Sequence, residues 1–111
     1  MRVTSEPSGS ATIVMLHGDS LDAGNVADFK REMAPLIEGS VKMVMDLSAV
    51  QFVDSSGLGG ILSCLRQISG QGGALVLCSM TKPVRTLFEL VRMHRIFDIV
   101  NTREEALKLI A

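Results

Sequence analysis

The chain has 111 residues, enough for one domain with a single substantial core, and 47% of them are apolar. Its 11 basic and 12 acidic residues leave a formal net charge of −1, which gives no field to attract nucleic acid or an anionic membrane. A mean hydropathy of +0.33 excludes a disordered chain, and no apolar run approaches the ~20 residues that a membrane-spanning helix needs.

MRVTSE is expected as an edge strand, with PSG as a turn before the apolar strand ATIVML. Within DAGNVADFKREMAPLIEG, Val26, Phe29, Met33 and Ile37 recur at helical spacing and Gly39 is a stop signal. Pro35 should kink or reset the last turns of that helix. VKMVMDLSAVQFV is the most strand-like run, apolar enough to be buried on both faces as a central parallel strand is.

After DSSG, the residues Leu58, Ile61, Leu62, Leu65 and Ile68 form one helical stripe, which QGG breaks before a second buried strand, ALVLCS. KPVRTLFELVRM starts with Pro83 near its first turn and sets Val84, Leu87, Phe88 and Val91 on one face. IFDIV is a short last strand. TREEALKLI is a final helix, where Thr102 and Glu105 make a capping box.

Strands alternating with amphipathic helices predict an α/β domain spanning residues 1–111. The expected sheet is mixed and mostly parallel, of about five strands with an N-terminal antiparallel edge strand, accompanied by about four helices. In such units the loops after the parallel strands emerge at the carboxyl edge of the sheet. HGDSLD, VDSSG and SMTK should therefore meet there.

VDSSGLGG carries the chemistry. Asp54, Ser55 and Ser56 stand where a helix N-cap is wanted, and all three residue types can cap. One reading is that they do only this. A cap does not require Gly57, Gly59 and Gly60, however, and each glycine in a helix costs roughly 1 kcal/mol relative to alanine. The other reading is that the glycines strip the first turn, so that a partner can approach the Ser56 hydroxyl closely. Open N–H groups and the helix dipole would then hold a phosphate on that serine without melting the helix.

At these residues the chain resembles the STAS-domain proteins of the bacterial anti-sigma factor antagonist (anti-anti-sigma) group. VMDLSAVQFVDSSGLGGIL fits the pattern D-[LF]-S-x-V-x-F-[VI]-D-S-S-G-L, and GGALVLCSMTKPVRTLFELVRMHRIFDIVNTREEAL continues the likeness to the last helix. The resemblance implies the STAS fold and a binding module rather than an enzyme. It makes Ser56 the phosphoacceptor for a partner serine kinase that is also the anti-sigma factor. The unphosphorylated form would bind that partner and free a sigma factor, and a serine phosphatase would restore it.

The partner-binding residues so implied are Asp22, Asp54, Ser55, Ser56, Gly57, Leu58, Gly59 and Gly60. The usual G-E-L-D after the second strand stands here as GDSLD, one residue longer, with Gly18 and Asp22 matching its ends. Met80, in a strand-end loop, is either core filler or an adaptable interface anchor.

Other chemistries find less support. The nucleophile elbow G-x-S-x-G is absent, because Asp54 lies two residues before Ser56. His17 reads as a solvated strand-end residue, and His94, beside Arg92 and Arg95, as a surface residue at a helix end. Lys82, Arg85, Arg92 and Arg95 read as a solvated face. Cys64 and Cys78 lack companions at zinc spacing, so neither a metal nor a cofactor is expected. MRVTSEPSGS has no apolar stretch of a secretory leader, and two thiols in apolar surroundings suit a cytoplasmic protein. The competing function keeps the fold without the switch: a constitutive STAS subunit of a lipid-transport ATPase or a stress-signalling scaffold. The intact Ser55–Ser56 pair favours the switch.

Overall fold

A hairpin forms one edge of the sheet. In the computed structural model, which describes residues 1–39 and 41–111, β1 (Arg2–Ser8) pairs antiparallel with β2 (Ala11–His17), from Arg2 opposite His17 to Ser8 opposite Ala11. The reversal falls on Gly9 and Ser10, with Gly9 at φ +60°, a conformation only glycine adopts without steric cost. The expected turn thus starts later than PSG suggested. Pro7 stays in β1, where an edge strand tolerates its missing donor.

The chain continues through β3 (Ser20–Leu21), α1 (Val26–Met33), a 3₁₀ turn (Ala34–Leu36), β4 (Lys42–Asp46), β5 (Phe52–Val53) and α2 (Ser55–Gly70). It ends through β6 (Ala74–Cys78), α3 (Lys82–Leu90), a second 3₁₀ turn (Met93–Arg95), β7 (Asp98–Val100) and α4 (Arg103–Ile110). The main sheet has the order β1-β2-β4-β6-β7, parallel at every pair but the first. The mixed, mostly parallel five-stranded sheet with an antiparallel N-terminal edge and four helices is as expected.

Both faces of the central strands are covered, which is why they read as continuous apolar runs. Val14, Leu16, Met43, Met45, Leu75 and Leu77 point to the side where Phe29, Met33, Ile61, Ile68, Val84 and Phe88 of α1, α2 and α3 pack. The alternate residues Ala11, Ile13, Val44, Val76 and Cys78 meet Ala106 and Ile110 of α4. No helix is long and apolar enough to cross a membrane among the described residues.

Three expectations need correction. VKMVMDLSAVQFV is not one strand: Asp46 Oδ1 accepts the Ser48 N–H at 2.8 Å and the Val50 N–H reaches the Leu47 carbonyl at 3.1 Å. The chain turns out of the main sheet there, and Phe52–Val53 instead pairs with Ser20–Leu21 in a separate two-stranded parallel sheet. Its apolar pattern conceals the turn because Leu47, Val50 and Val53 are all buried.

Val91 is 43% exposed rather than part of the α3 stripe, because the helix stops at Leu90 and Arg92 reverses the chain at φ +60°. IFDIV contributes only Asp98–Val100 to the sheet, while Phe97 packs edge-on against Phe88 with ring centroids 5.7 Å apart. At Pro35 the α-helix gives way to the 3₁₀ turn, as the missing N–H requires. Thr102 caps α4 by accepting the Glu105 N–H at 3.1 Å. The Glu105 carboxylate, for its part, accepts from the Thr102 hydroxyl.

Candidate functional site

β2, β4 and β6 run parallel, so residues 18–25, 47–54 and 79–81 all leave the sheet at the same edge. The three segments meet there and are bonded together. The Asp19 carbonyl accepts the Gln51 and Phe52 N–H groups at 2.7 and 3.1 Å, and the Leu21 carbonyl accepts the Asp54 N–H at 3.3 Å. The Thr81 hydroxyl donates to the Val50 carbonyl at 2.8 Å. The Leu47 N–H donates to the Cys78 carbonyl at 3.1 Å.

Asp54 is the N-cap of α2, with φ −95° and ψ −176°. Its Oδ1 accepts the Gly57 N–H at 2.9 Å, the expected capping geometry. Its Oδ2 accepts the Ala23 N–H at 3.1 Å, across 31 residues of chain. The Gly57 N–H foremost, with that of Ala23, holds the Asp54 carboxyl below the usual carboxylate range despite some desolvation. Asp54 is therefore charged at neutral pH. Ser55 and Ser56 are the first two helical residues, and both are exposed.

The glycines do not form a bare turn as a group. A β-carbon on Gly57 would lie 2.1 Å from the Leu21 carbonyl oxygen, and one on Gly60 would lie 2.6 Å from Val26 Cγ2. Both residues are buried, Gly57 letting α2 approach β3 and Gly60 letting it approach α1. Neither offers surface to a partner. Gly59 alone faces open space, with nothing within 4 Å of its ideal β-carbon. Of the N–H groups expected to be open to a phosphate, Asp54 already takes that of Gly57.

Leu58 and Met80 are half-buried and pack against the main core, so Met80 is at least partly core filler. Asp22 lies in the 22–25 loop, and its carboxylate is bonded within the segment 20–25. It accepts the Ser20 hydroxyl at 2.8 Å and the Gly24 N–H at 2.9 Å. His17 bonds Thr4 on the hairpin, Nε2 to Oγ1 at 2.7 Å. Arg85 donates to Asn101 Oδ1 at 2.8 Å, so this member of the basic group is tied down. Cys64 and Cys78 are buried, and burial pushes the Cys64 thiol up to about 11.

Sequence reasoning missed Phe52, which is 57% exposed on β5, just before the serine turn. An apolar run conceals it, although the polar Gln51 beside it interrupts that run. Also missed was Ser79, which ends β6 at φ +62° and so turns Met80 and Thr81 toward the shared edge.

A family model described as STAS domain matches residues 2–106. The chain belongs to the STAS domain family. This STAS chain is 30% identical over 107 residues to the Bordetella bronchiseptica protein BtrV, assigned as an anti-sigma factor antagonist, a match that covers 96% of this chain and 91% of that protein. The Anti-sigma-B factor antagonist of Bacillus subtilis is 27% identical over 79 residues, 71% of this chain and 72% of its own. A Thermotoga maritima protein assigned as an anti-sigma factor antagonist has a crystal structure that superposes with a TM-score of 0.84 at 29% identity, covering 96% of this chain and 92% of that one.

Proposed function

We propose that this STAS chain is an anti-sigma factor antagonist working by partner switching, a binding module and not an enzyme, acting in the cytoplasm. Unphosphorylated, it binds an anti-sigma factor that is also a serine kinase and so frees a sigma factor. Phosphorylation of Ser56 ends binding, and a serine phosphatase reverses it. The observation that carries this reading is the exposed Ser56 at the head of α2, beside a charged Asp54, at the edge where three loops converge. The names of the relatives point the same way.

The physical switch is the charge. A phosphoserine brings about −1.5 to −2 at pH 7, and one N–H donor of the helix turn, that of Gly57, is already used by Asp54. The added charge therefore stands next to a carboxylate, in a surface that must lose its water on binding. Ser56, Ser55, Gly59 and the exposed ring of Phe52 supply the contact surface, with Leu58 and Met80 at its margin.

Ser56→Ala keeps the surface neutral and should bind the anti-sigma partner permanently. Ser56→Asp should fold normally yet lose about 2–4 kcal/mol of binding free energy, the cost of one badly paired charge at an interface. Titration calorimetry of both variants, with circular dichroism as the folding control, decides between them. Equal affinities would exclude a switch at Ser56 and leave a constitutive scaffold subunit.

A further inference from the structure

We propose that Asp54 is a positioning residue that ties the 22–25 loop to the phosphoacceptor turn, and that a phosphate on Ser56 releases the loop by displacing this tie. The proposal rests on the reading of Ser56 as the phosphoacceptor. It adds a second change that the partner would read, in the backbone around Asp22.

The two carboxylate oxygens of Asp54 serve different elements, Oδ1 the Gly57 N–H of α2 and Oδ2 the Ala23 N–H of the loop before α1. Among the described residues, the Ala23–Asp54 bond is the hydrogen bond that joins residues 22–25 to residues 54–57. The remaining polar groups of the loop look inward. Asn25 accepts the Asp22 N–H at 2.9 Å and donates to the Ser20 carbonyl at 2.8 Å, and Asp22 bonds Ser20 and Gly24. Immediately after the loop, α1 is held by close packing of Val26 on Gly60. Release is thus confined to a few residues and leaves the helix in place.

Phosphate at Ser56 sets a dianion two residues from a carboxylate that is already ionised. Like charges so close repel, and Asp54 relieves the repulsion through its weaker bond. The Gly57 bond lies within the helix turn and is favoured by the helix dipole, whereas the Ala23 bond is longer and exposed. The carboxylate therefore keeps its cap and gives up Ala23.

The test is amide hydrogen exchange by NMR on the free protein, with phosphoserine installed at position 56 during synthesis so that no kinase is involved. In the otherwise native chain the modification should raise the Ala23 exchange rate by about threefold or more, with the α1 amides from Lys30 onward and the core strands unchanged. Asp54→Asn keeps one carbonyl oxygen for the Gly57 cap but has no charge and no second acceptor. In that background Ala23 should exchange fast already, and phosphoserine should add nothing. An Ala23 amide that stays protected after phosphorylation, or that responds equally in Asp54→Asn, overturns the proposal. If Asp54→Asn does not fold, Asp54→Ser, another single-acceptor cap, takes its place. Failure of a kinase to phosphorylate Ser56 would count against the phosphoacceptor reading alone, because these measurements need no kinase.

Discussion

A methyl group on Gly57 would meet the Leu21 carbonyl oxygen at 2.1 Å, and the nearest atoms are backbone of β3, which is paired to β5 and cannot retreat. Gly57→Ala should therefore destabilise the protein by about 3 kcal/mol, the upper range for overpacking a close contact. Gly60→Ala meets a side-chain methyl of Val26, which can yield, so its cost should be about 1–2 kcal/mol. Gly59→Ala enters open space inside a helix and should stabilise by up to ~1 kcal/mol. Urea denaturation followed by circular dichroism ranks the three, and the probe suits a chain with no Trp or Tyr. A Gly57→Ala variant as stable as Gly59→Ala would show that α2 does not lie against β3.

Between elements, Arg103 at the start of α4 makes the longest-range polar link. Its Nε donates to Asp46 Oδ2 at 2.7 Å and its Nη1 to Glu6 Oε1 at 2.9 Å, joining the last helix to β4 and β1. The Asp46 side chain is 6% exposed and that of Glu6 62%, so the two bonds differ in weight. Arg103→Ala strands a buried carboxylate and should cost about 2 kcal/mol, less than a fully buried pair because the guanidinium is partly in water. Glu6→Ala should cost under ~0.5 kcal/mol. Burial disfavours the Asp46 anion, but the Ser48 and Arg103 hydrogen bonds outweigh it and set its carboxyl below the ordinary value of 3.8. The contribution is therefore present above that value and lost as pH falls through the lower folded one. Acid titration of stability should show Arg103→Ala losing its remaining Asp46 contribution at a higher pH than the native chain.

On the scale of the whole molecule the two sheet faces are unequally covered. Among the described residues, three helices pack on one face, while the other has α4 alone, an eight-residue helix ending in Ile110. Removing residues 103–111 would bare Ala11, Ile13, Val44, Val76 and Cys78 together. A contiguous apolar face of that kind drives association. The truncated chain should elute as oligomers in size-exclusion chromatography, bind an apolar dye, and lose its sharp denaturation transition. A monomeric truncation with an intact transition would mean that α4 is an accessory to the fold rather than its second layer.

The sheet, its helices and the serine edge were legible in the amino-acid order because each rests on local periodicity or local chemistry. A strand buried on both faces must be apolar at successive positions, as IVML, MVM and LVLC are, and the caps at Asp54 and Thr102 are made within three residues. Chain order alone does not reveal contacts whose partners are far apart in sequence. Asp54 finds Ala23 across 31 residues and Arg103 finds Asp46 across 57. Three glycines with the same local signal part company because one faces a carbonyl, one a valine and one open space. Close approach between distant segments is set by how whole elements pack, to within an ångström, and only the folded chain fixes that distance.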